Sequence, residues 1–200
     1  MPAPVTKADA YPYTYVTRTQ AQNLASKVNS GTKTSSLMFG VQWDLVLAFM
    51  SKDTAKITST DVLTKNSTTI GNYRDSVFQL SQTGKYATYS NLTLSSTWNP
   101  STTAITNFVD SSRNKIVQSS DGKGILVTTG TSEKNKVMNI YDIAGNVWEW
   151  TLEKTSYTDY PCVYRGGNFD GAGSGDTAAD RSFTSTGASS LYIGFRVSLF

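Results

Sequence analysis

The chain has 200 residues, of which 38% are hydrophobic and 16% charged, and its formal net charge is +3 at pH 7. This length suits one domain with a hydrophobic core. No run of Lys and Arg marks a surface for nucleic acid, and no apolar run approaches the length of a membrane span. The chain has no histidine, so the commonest general base and transition-metal ligand is missing, and one cysteine, Cys162, so no intrachain disulfide can form.

The N-terminal part predicts an extended segment followed by a helix. Residues 1–16 contain several Tyr and Pro residues and are predicted to be extended or irregular. The first helix is predicted to begin at Thr17 or Thr19, since a Thr side chain caps helices well, and apolar residues then recur at three- and four-residue spacing. Residues 29–31 (NSG) are predicted to end it.

A second helix is predicted over residues 37–50 (LMFGVQWDLVLAFM). Val41, Leu45 and Ala48 line one stripe of this helix, and further apolar residues widen the stripe. Apolar side chains therefore lie almost all round the helix, which indicates burial on more than one side.

The remaining chain predicts strands separated by long loops. Residues 51–120 are rich in Thr, Ser and Asn, show no repeat and are predicted to be mostly ordered loop. Residues 124–130 predict a strand, and alternation from residue 147 to residue 152 places Trp148 and Trp150 on one face of another. Residues 192–200 predict a terminal strand.

Three motifs occur in a fixed order in the last third of the chain. They are residues 141–150 (YDIAGNVWEW), residues 165–169 (RGGNF) and residues 193–196 (IGFR). This order resembles the formylglycine-generating-enzyme (sulfatase-modifying-factor) family, which shares a C-type-lectin-like fold with the variable proteins of diversity-generating retroelements. The two predicted helices match the family's first two helices, whereas residues 51–138 have no clear counterpart.

The resemblance implies an α+β fold, with two helices packed on short antiparallel β-sheets and much ordered loop. Residues 1–16 are then an N-terminal extended segment, and residues 17–200 form a single domain. Family members can hold a calcium ion at the turn before the double-Trp strand, and the matching positions here are Asp142, Gly145, Val147 and Glu149. Carboxylate and carbonyl oxygens suit calcium, but the same carboxylates can instead pair with Arg165, Arg181 or Arg196.

The family's known chemistry is not expected in this chain. Copper-dependent members use a pair of cysteines near the C-terminus, and residues 166–195 contain none. Iron-binding relatives use histidines, which the chain lacks. We therefore expect no catalytic residues and no required cofactor. A structural calcium ion is the one bound group that the resemblance allows. We interpret Asp170, Asp176 and Asp180 as surface carboxylates.

Residues 166–192 have the composition of a recognition surface. Apart from Arg181 and Leu191, they are Gly, Ala, Ser, Thr, Asn, Asp, Phe or Tyr, close to the residue usage of antibody binding loops. The aromatic anchors are predicted to be Phe169, Phe183 and Tyr192. The predicted polar contacts are Asn168, Asp170, Ser174, Asp176, Thr177, Asp180, Thr184, Thr186, Ser189 and Ser190.

These features predict a non-enzymatic module that binds a protein or glycan on a target cell surface. We expect no nucleic-acid partner and no membrane insertion, and the sequence is compatible with a homo-oligomer. The first residues lack the form of a secretory signal, so we expect a virion location, on a phage tail or fibre, or a bacterial cell surface. The alternatives are a structural decoration or assembly domain of a virion or surface layer, and a metal-dependent oxidase of the formylglycine-generating type.

Overall fold

A computed structural model describes residues 1–28, 31–88, 97–117 and 123–200. Short helices are joined to several small sheets, so the chain has the α+β architecture that the resemblance implies. Within these described ranges, no helix is long and apolar enough to cross a membrane.

Helix α1 spans Arg18–Ala25 and begins at the predicted cap, Thr17. The Thr17 hydroxyl accepts a hydrogen bond from the Gln20 amide at 3.3 Å, and the Gln20 side chain accepts one from the Thr17 amide at 2.9 Å. This reciprocal capping box fixes the first turn. The helix ends at Ala25, before the predicted stop, of which residues 29–30 lie outside the described ranges.

Strand β1 (Ser35–Leu37) and helix α2 (Gly40–Met50) replace the single helix predicted over residues 37–50. The predicted core stripe of α2 was wrong, because Val41 and Leu45 are 65% and 64% exposed. Trp43, Leu47 and Met50 are buried instead. Since apolar residues surround this helix, their spacing alone could not decide which face enters the core.

The middle of the chain holds one short helix and several short strands. They are α3 (Asp61–Thr64), β2 (Phe78–Gln79), β3 (Lys85–Thr88), β4 (Trp98–Pro100), β5 (Asn114–Lys115), β6 (Ile125–Val127), β7 (Lys136–Val137) and β8 (Ile140–Tyr141). Strands β4, β3 and β6 form one antiparallel sheet in that order, while β2 pairs with β5 and β7 with β8. The predicted strand at residues 124–130 is thereby confirmed as β6.

The C-terminal part forms a four-stranded sheet around the double-Trp strand. Strand β9 (Trp148–Lys154) lies between β10 (Cys162–Arg165) and β12 (Ile193–Phe195), and β11 (Arg181–Thr184) pairs with the far edge of β10. The β9–β12 pair is parallel, unlike the antiparallel pairing expected. The predicted terminal strand is split after Phe195, and its second part, β13 (Val197–Leu199), pairs with β1.

The predicted two-faced pattern of β9 is confirmed by its packing. Trp148 and Trp150 lie in one apolar cluster with Leu24 and Leu37, so this face of β9 carries α1 and β1. The Trp150 indole donates to the Val16 carbonyl at 2.8 Å, which ties the end of the N-terminal segment to the sheet. Cys162 is buried in the same cluster, as a small apolar side chain would be.

Candidate functional site

The turn before β9 is fixed by two buried asparagines. Asn72 Nδ2 donates to Asn146 Oδ1 at 3.0 Å, and the Asn146 side chain exchanges hydrogen bonds of 3.1 Å with the amide and carbonyl of Val127. Gly145 has a φ of +68°, and a Cβ built there would lie 2.3 Å from the Asn72 carbonyl oxygen. The turn is therefore locked against β6 and against the segment that contains Asn72.

Glu149, the predicted calcium ligand on β9, is held by Arg196. Arg196 Nε and Nη2 each donate to a different carboxylate oxygen of Glu149 at 2.7 Å. Nη2 also donates to the carbonyls of Tyr141 and Asp142 at 3.1 and 3.0 Å. Of the arginine pairings that the sequence left open, the one between Arg196 and Glu149 forms, and the parallel β9–β12 register that sets Gly194 beside Glu149 brings these groups together.

The four residues predicted to bind calcium do not form an open oxygen cage. Calcium takes six to eight oxygen ligands, yet both oxygens of Glu149 already accept from Arg196. The guanidinium stands where a cation would balance Glu149, so these residues do not fit a calcium ion while Arg196 is in place.

Asp142 is the other carboxylate of this region, and it is 8% exposed. Its Oδ2 accepts from the Gly130 amide at 2.8 Å, while its Oδ1 has no hydrogen-bond partner among the residues that the structure describes. Burial raises the pKa of Asp142 to about 6, against the lowering effects of the Gly130 hydrogen bond and of Arg196. Asp142 thus has a free acceptor oxygen in a desolvated position.

A second charge cluster lies where α2 meets the four-stranded sheet. Arg165 is 1% exposed and donates to Asp44 at 2.6 Å and to Glu153 at 3.2 Å. Its cross-strand neighbour Arg181 contacts the same two carboxylates at 3.3 and 2.6 Å. The sequence interpretation paired these arginines with Glu149 or Asp142, and it missed Asp44 and Glu153 because their proximity depends on how α2 docks.

The residues predicted to form the recognition surface differ widely in exposure. Phe169, an expected anchor, is 1% exposed and packs with Leu126, Val147 and Leu191 in the core, so it is not displayed. Thr177 is also buried, at 6% exposure. The exposed members are Ser174, Phe183, Thr186 and Ser189, and the half-buried ones are Asn168, Asp170, Asp176, Asp180, Thr184, Ser190 and Tyr192.

Several half-buried members are engaged inside the fold. Asp170 accepts from the Gly124 amide at 2.8 Å and from the Tyr192 hydroxyl at 3.3 Å. The Tyr192 ring lies 5.3 Å from that of Phe169. The region around Asp170 therefore joins the C-terminal loops to β6 and does not form a free rim.

Asp176 and Asp180 are also more embedded than the surface carboxylates expected from the sequence. Burial raises the pKa of Asp176, and the charge of Asp180 adds to this effect, whereas Arg74 opposes it. Burial likewise raises the pKa of Asp180, against the lowering effects of the Arg181 amide and of Arg165. Asp176 and Asp180 are embedded because their loop packs against residues 63–75. The local composition gives no sign of this packing.

Three exposed aromatic side chains gather beside β11. Tyr157, Tyr160 and Phe183 are 59%, 51% and 43% exposed. The Phe183 ring stacks on Tyr157 with centroids 5.2 Å apart and lies 6.5 Å from Tyr160. We call these three residues the aromatic patch. Phe183 was predicted from the sequence, but Tyr157 and Tyr160 were not. Two aromatic residues three positions apart in a polar stretch are the only sequence feature that could have indicated them.

The loop that carries the two tyrosines is internally braced. The Thr155 hydroxyl donates to the Tyr160 carbonyl at 2.8 Å and accepts from the Tyr157 amide at 3.1 Å. Phe183 stands opposite Val163 in the β10–β11 pair. The three aromatic residues therefore stand on a strand pair and on a loop whose backbone is restrained by these hydrogen bonds.

Comparisons with known proteins agree with the order of the three motifs. The model of the family described as the sulfatase-modifying factor enzyme 1-like domain matches residues 70–199. The match begins at residue 70, well upstream of the first motif, so it includes much of residues 51–138, for which the motifs alone showed no counterpart. Neither the curated proteins nor the solved structures gave a match.

Proposed function

We propose that this chain, which belongs to the sulfatase-modifying factor enzyme 1-like family, is a non-enzymatic recognition module that binds a protein or glycan on a target surface. The observation that carries the proposal is the aromatic patch, in which three large rings stay exposed beside a rigid sheet. Solvent-exposed aromatic clusters of this kind supply the central anchors of many binding surfaces.

The surroundings of the patch suit recognition. Thr155, Ser156, Thr158 and Asp159 lie next to the two tyrosines along the chain and provide short polar side chains. Aromatic faces with such neighbours bind a sugar ring or a peptide side chain by burial and orient it by hydrogen bonds. This moves the binding surface of the initial interpretation from Phe169 and Tyr192 to Phe183 and its two tyrosine neighbours.

We further propose that the module acts on a phage tail or fibre, or on a bacterial cell surface. We also propose that it is related to the variable proteins of diversity-generating retroelements. A neighbouring reverse transcriptase gene with a near-copy of the DNA for the C-terminal residues would support diversification. Tail genes without a reverse transcriptase would support a virion setting and count against diversification.

The proposal is tested by binding to arrayed bacterial glycans and to extracted surface proteins. Unmodified protein is compared with Tyr157→Ala/Phe183→Ala and with Phe200→Ala, which removes an aromatic ring that is 58% exposed at the C-terminal end. We expect the double variant to lose binding while Phe200→Ala retains it, with unchanged circular dichroism for both. Equal binding by the double variant would place the recognition surface elsewhere.

A role in assembly is the second candidate, and the outer face of α2 favours it. Val41, Leu45 and Phe49 follow one another at helical spacing and are 65%, 64% and 44% exposed, with Phe39 beside them at 44%. A contiguous apolar face suits an isologous contact, in which the same helix of a second copy covers it.

Sedimentation analysis separates this candidate from recognition by a monomer. If copies associate through α2, Leu45→Glu shifts the protein to a monomer, whereas Val77→Glu, a change at a site that is 47% exposed outside α2, does not. A monomeric unmodified protein at the highest attainable concentration would exclude this self-association.

A further inference from the structure

Strand β11 is one edge of the four-stranded sheet, and no strand of the described ranges pairs with its outer side. The other edge strand, β12, packs against the N-terminal segment, where the Tyr13 ring lies 5.7 Å from the Phe195 ring. Strand β11 has no proline and keeps a continuous register with β10, so it lacks two of the devices that prevent an edge from pairing. Its charged side chain, Arg181, is paired with Asp44 and Glu153. The outer side of β11 is therefore available to an added strand.

The backbone of Phe183 points to this outer side. The Val163 carbonyl accepts from the Thr151 hydroxyl on β9 at 3.3 Å, so the backbone groups of Val163 face β9. Phe183 stands opposite Val163, and opposite residues of an antiparallel pair either both bond to each other or both point away. The ladder bonds of β11 therefore come from Ser182 and Thr184. The amide and carbonyl of Phe183 have no hydrogen-bond partner among the described residues.

Phe183 combines this unpaired backbone with a ring of the aromatic patch. Its ring stacks on Tyr157 with centroids 5.2 Å apart and is 43% exposed. A residue of an added strand that exchanges both hydrogen bonds with Phe183 has its Cβ about 5 Å from that of Phe183, on the same face of the sheet. The side chain of that residue then lies against the rings of the patch. Backbone pairing and aromatic contact thus act on the same partner residue.

We propose that the partner at the aromatic patch is an extended segment of a protein, which pairs with β11 as a fifth strand and places an apolar side chain opposite Phe183. This inference rests on the proposed recognition function and specifies the class of target. A polypeptide backbone supplies a carbonyl and an amide on one residue, as the edge requires, and the rings add selectivity for the side chain. A glycan can stack on the rings but has no backbone that complements a strand edge.

Hydrogen exchange of the free protein, followed by NMR, tests whether the edge is unpaired. The Phe183 amide points to solvent, whereas the Ser182 amide donates to β10. We expect the Phe183 amide to exchange at least about tenfold faster than that of Ser182. Equal protection of the two amides would mean that the edge is already paired and would overturn the proposal.

A displayed library of random linear twelve-residue peptides provides the probe. Peptides enriched on the unmodified protein are synthesised, and each is also made with a single N-methyl group at every position in turn. Because alternate amides of a strand point away from β11, we expect binding to fall about tenfold or more at every second position and to be unchanged between them. The unmethylated peptide should also slow exchange of the Phe183 amide.

Two substitutions at the same residue separate the ring from the backbone. Phe183→Ala removes the ring and keeps the amide, whereas Phe183→Pro removes both. Proline is tolerated on an edge strand where the amide faces solvent, so the two variants should melt at similar temperatures. We expect Phe183→Pro to bind the selected peptides at least about threefold more weakly than Phe183→Ala. If Phe183→Pro does not fold, the N-methyl series still decides the question.

Three outcomes would overturn the inference. The first is a selection that enriches no peptide, and the second is an N-methyl series without a period of two. The third is an array glycan that binds through the rings and leaves exchange of the Phe183 amide unchanged, in which case the recognition function stands and the class of target is wrong. Peptide binding that survives Tyr157→Ala/Phe183→Ala would instead contradict the aromatic patch as the anchor, and with it the proposed function.

Discussion

Arg196, the residue that follows β12, donates two hydrogen bonds of 2.7 Å to Glu149 on the neighbouring parallel strand β9. The side chain of Glu149 is 8% exposed, and burial raises its pKa even though Arg196 opposes that effect. The arginine therefore compensates a buried carboxylate at a position where the family resemblance allows a calcium ion. The Arg196 guanidinium thus supplies, from within the chain, the positive charge that a bound metal ion would supply.

Removing either partner of this pair should destabilise the fold. Arg196→Gln leaves a buried carboxylate without its counter-ion, and we expect a loss of about 3 kcal/mol in the free energy of unfolding, measured by urea denaturation. Glu149→Gln should cost a comparable amount. The double variant should cost less than the two single changes together, because the groups are coupled.

Calcium provides the control for this interpretation. With Arg196 in place, adding calcium or a chelator should leave the urea midpoint of the unmodified protein unchanged. A midpoint that falls on chelation would show that a metal, and not the guanidinium alone, balances Glu149.

Phe169 and Phe183 were predicted to have the same role, and the structure separates them. Phe169 is 1% exposed, so Phe169→Ala should cost roughly 3–5 kcal/mol of stability by leaving a cavity among Leu126, Val147 and Leu191. Phe183 is 43% exposed, so Phe183→Ala should cost clearly less, about 1–2 kcal/mol, because much of the ring is already in solvent. Thermal unfolding of the two variants measures this difference.

The outcome decides how a binding experiment must be designed. If Phe169→Ala melts early, a variant that combines it with surface changes cannot distinguish lost binding from lost folding. Equal melting temperatures for the two variants would instead contradict the burial of Phe169.

Local sequence patterns predicted those parts of the fold that depend on near neighbours. Thr17 and Gln20 form a capping box from residues three apart, and the alternation around Trp148 and Trp150 gave the correct buried face of β9. Glu149 was among the partners expected for Arg196, but the sequence left Asp142 open as well and did not decide between them.

Patterns failed where docking between distant segments decides the result. The face of α2 that enters the core is set by Ile57, Leu63, Ile70 and Tyr73, which cluster with Trp43, and the uniformly apolar helix carries no signal of it. Phe169 stands in a stretch of small polar residues, yet Leu126 and Leu191 close over it from outside that stretch. Composition alone therefore predicts that a buried aromatic residue such as Phe169 is exposed.

Lys115 should make stability depend on pH. It is fully buried and donates to the carbonyls of Ser76 at 2.7 Å and Arg74 at 3.3 Å. Burial lowers its pKa from 10.5 to about 7, with Asp75 opposing this shift and Lys134 adding to it. Because the folded pKa lies below the unfolded one, the unfolded chain binds more protons between these values, and stability rises with pH there.

Urea denaturation across this range tests the assignment. From pH 7 to about 9.5, below the ionisation of exposed tyrosines, Lys115 should add up to about 1.4 kcal/mol of stability per pH unit. Lys115→Met should flatten this slope, while Lys65→Met, whose side chain is 73% exposed, should leave it unchanged. A slope that survives Lys115→Met would assign the pH dependence to other groups.

Gly145 and Gly31 allow the contribution of close packing at the turn to be separated from that of backbone strain. Both have a positive φ, +68° and +60°, so an alanine at either site incurs a similar conformational cost of about 1–2 kcal/mol. A Cβ at Gly31 meets no atom of the described residues within 4 Å, whereas one at Gly145 lies 2.3 Å from the Asn72 carbonyl oxygen and 2.7 Å from its carbon. These are backbone atoms that Asn146 holds in place through its amide at 2.8 Å, so they cannot move aside cheaply.

We therefore expect Gly145→Ala to cost several kcal/mol more than Gly31→Ala in urea denaturation, and to perturb the Val127 amide, which donates to Asn146. Equal costs would mean that the turn before β9 has room to shift, and the positions of Asp142 and Glu149 would then not be fixed by it.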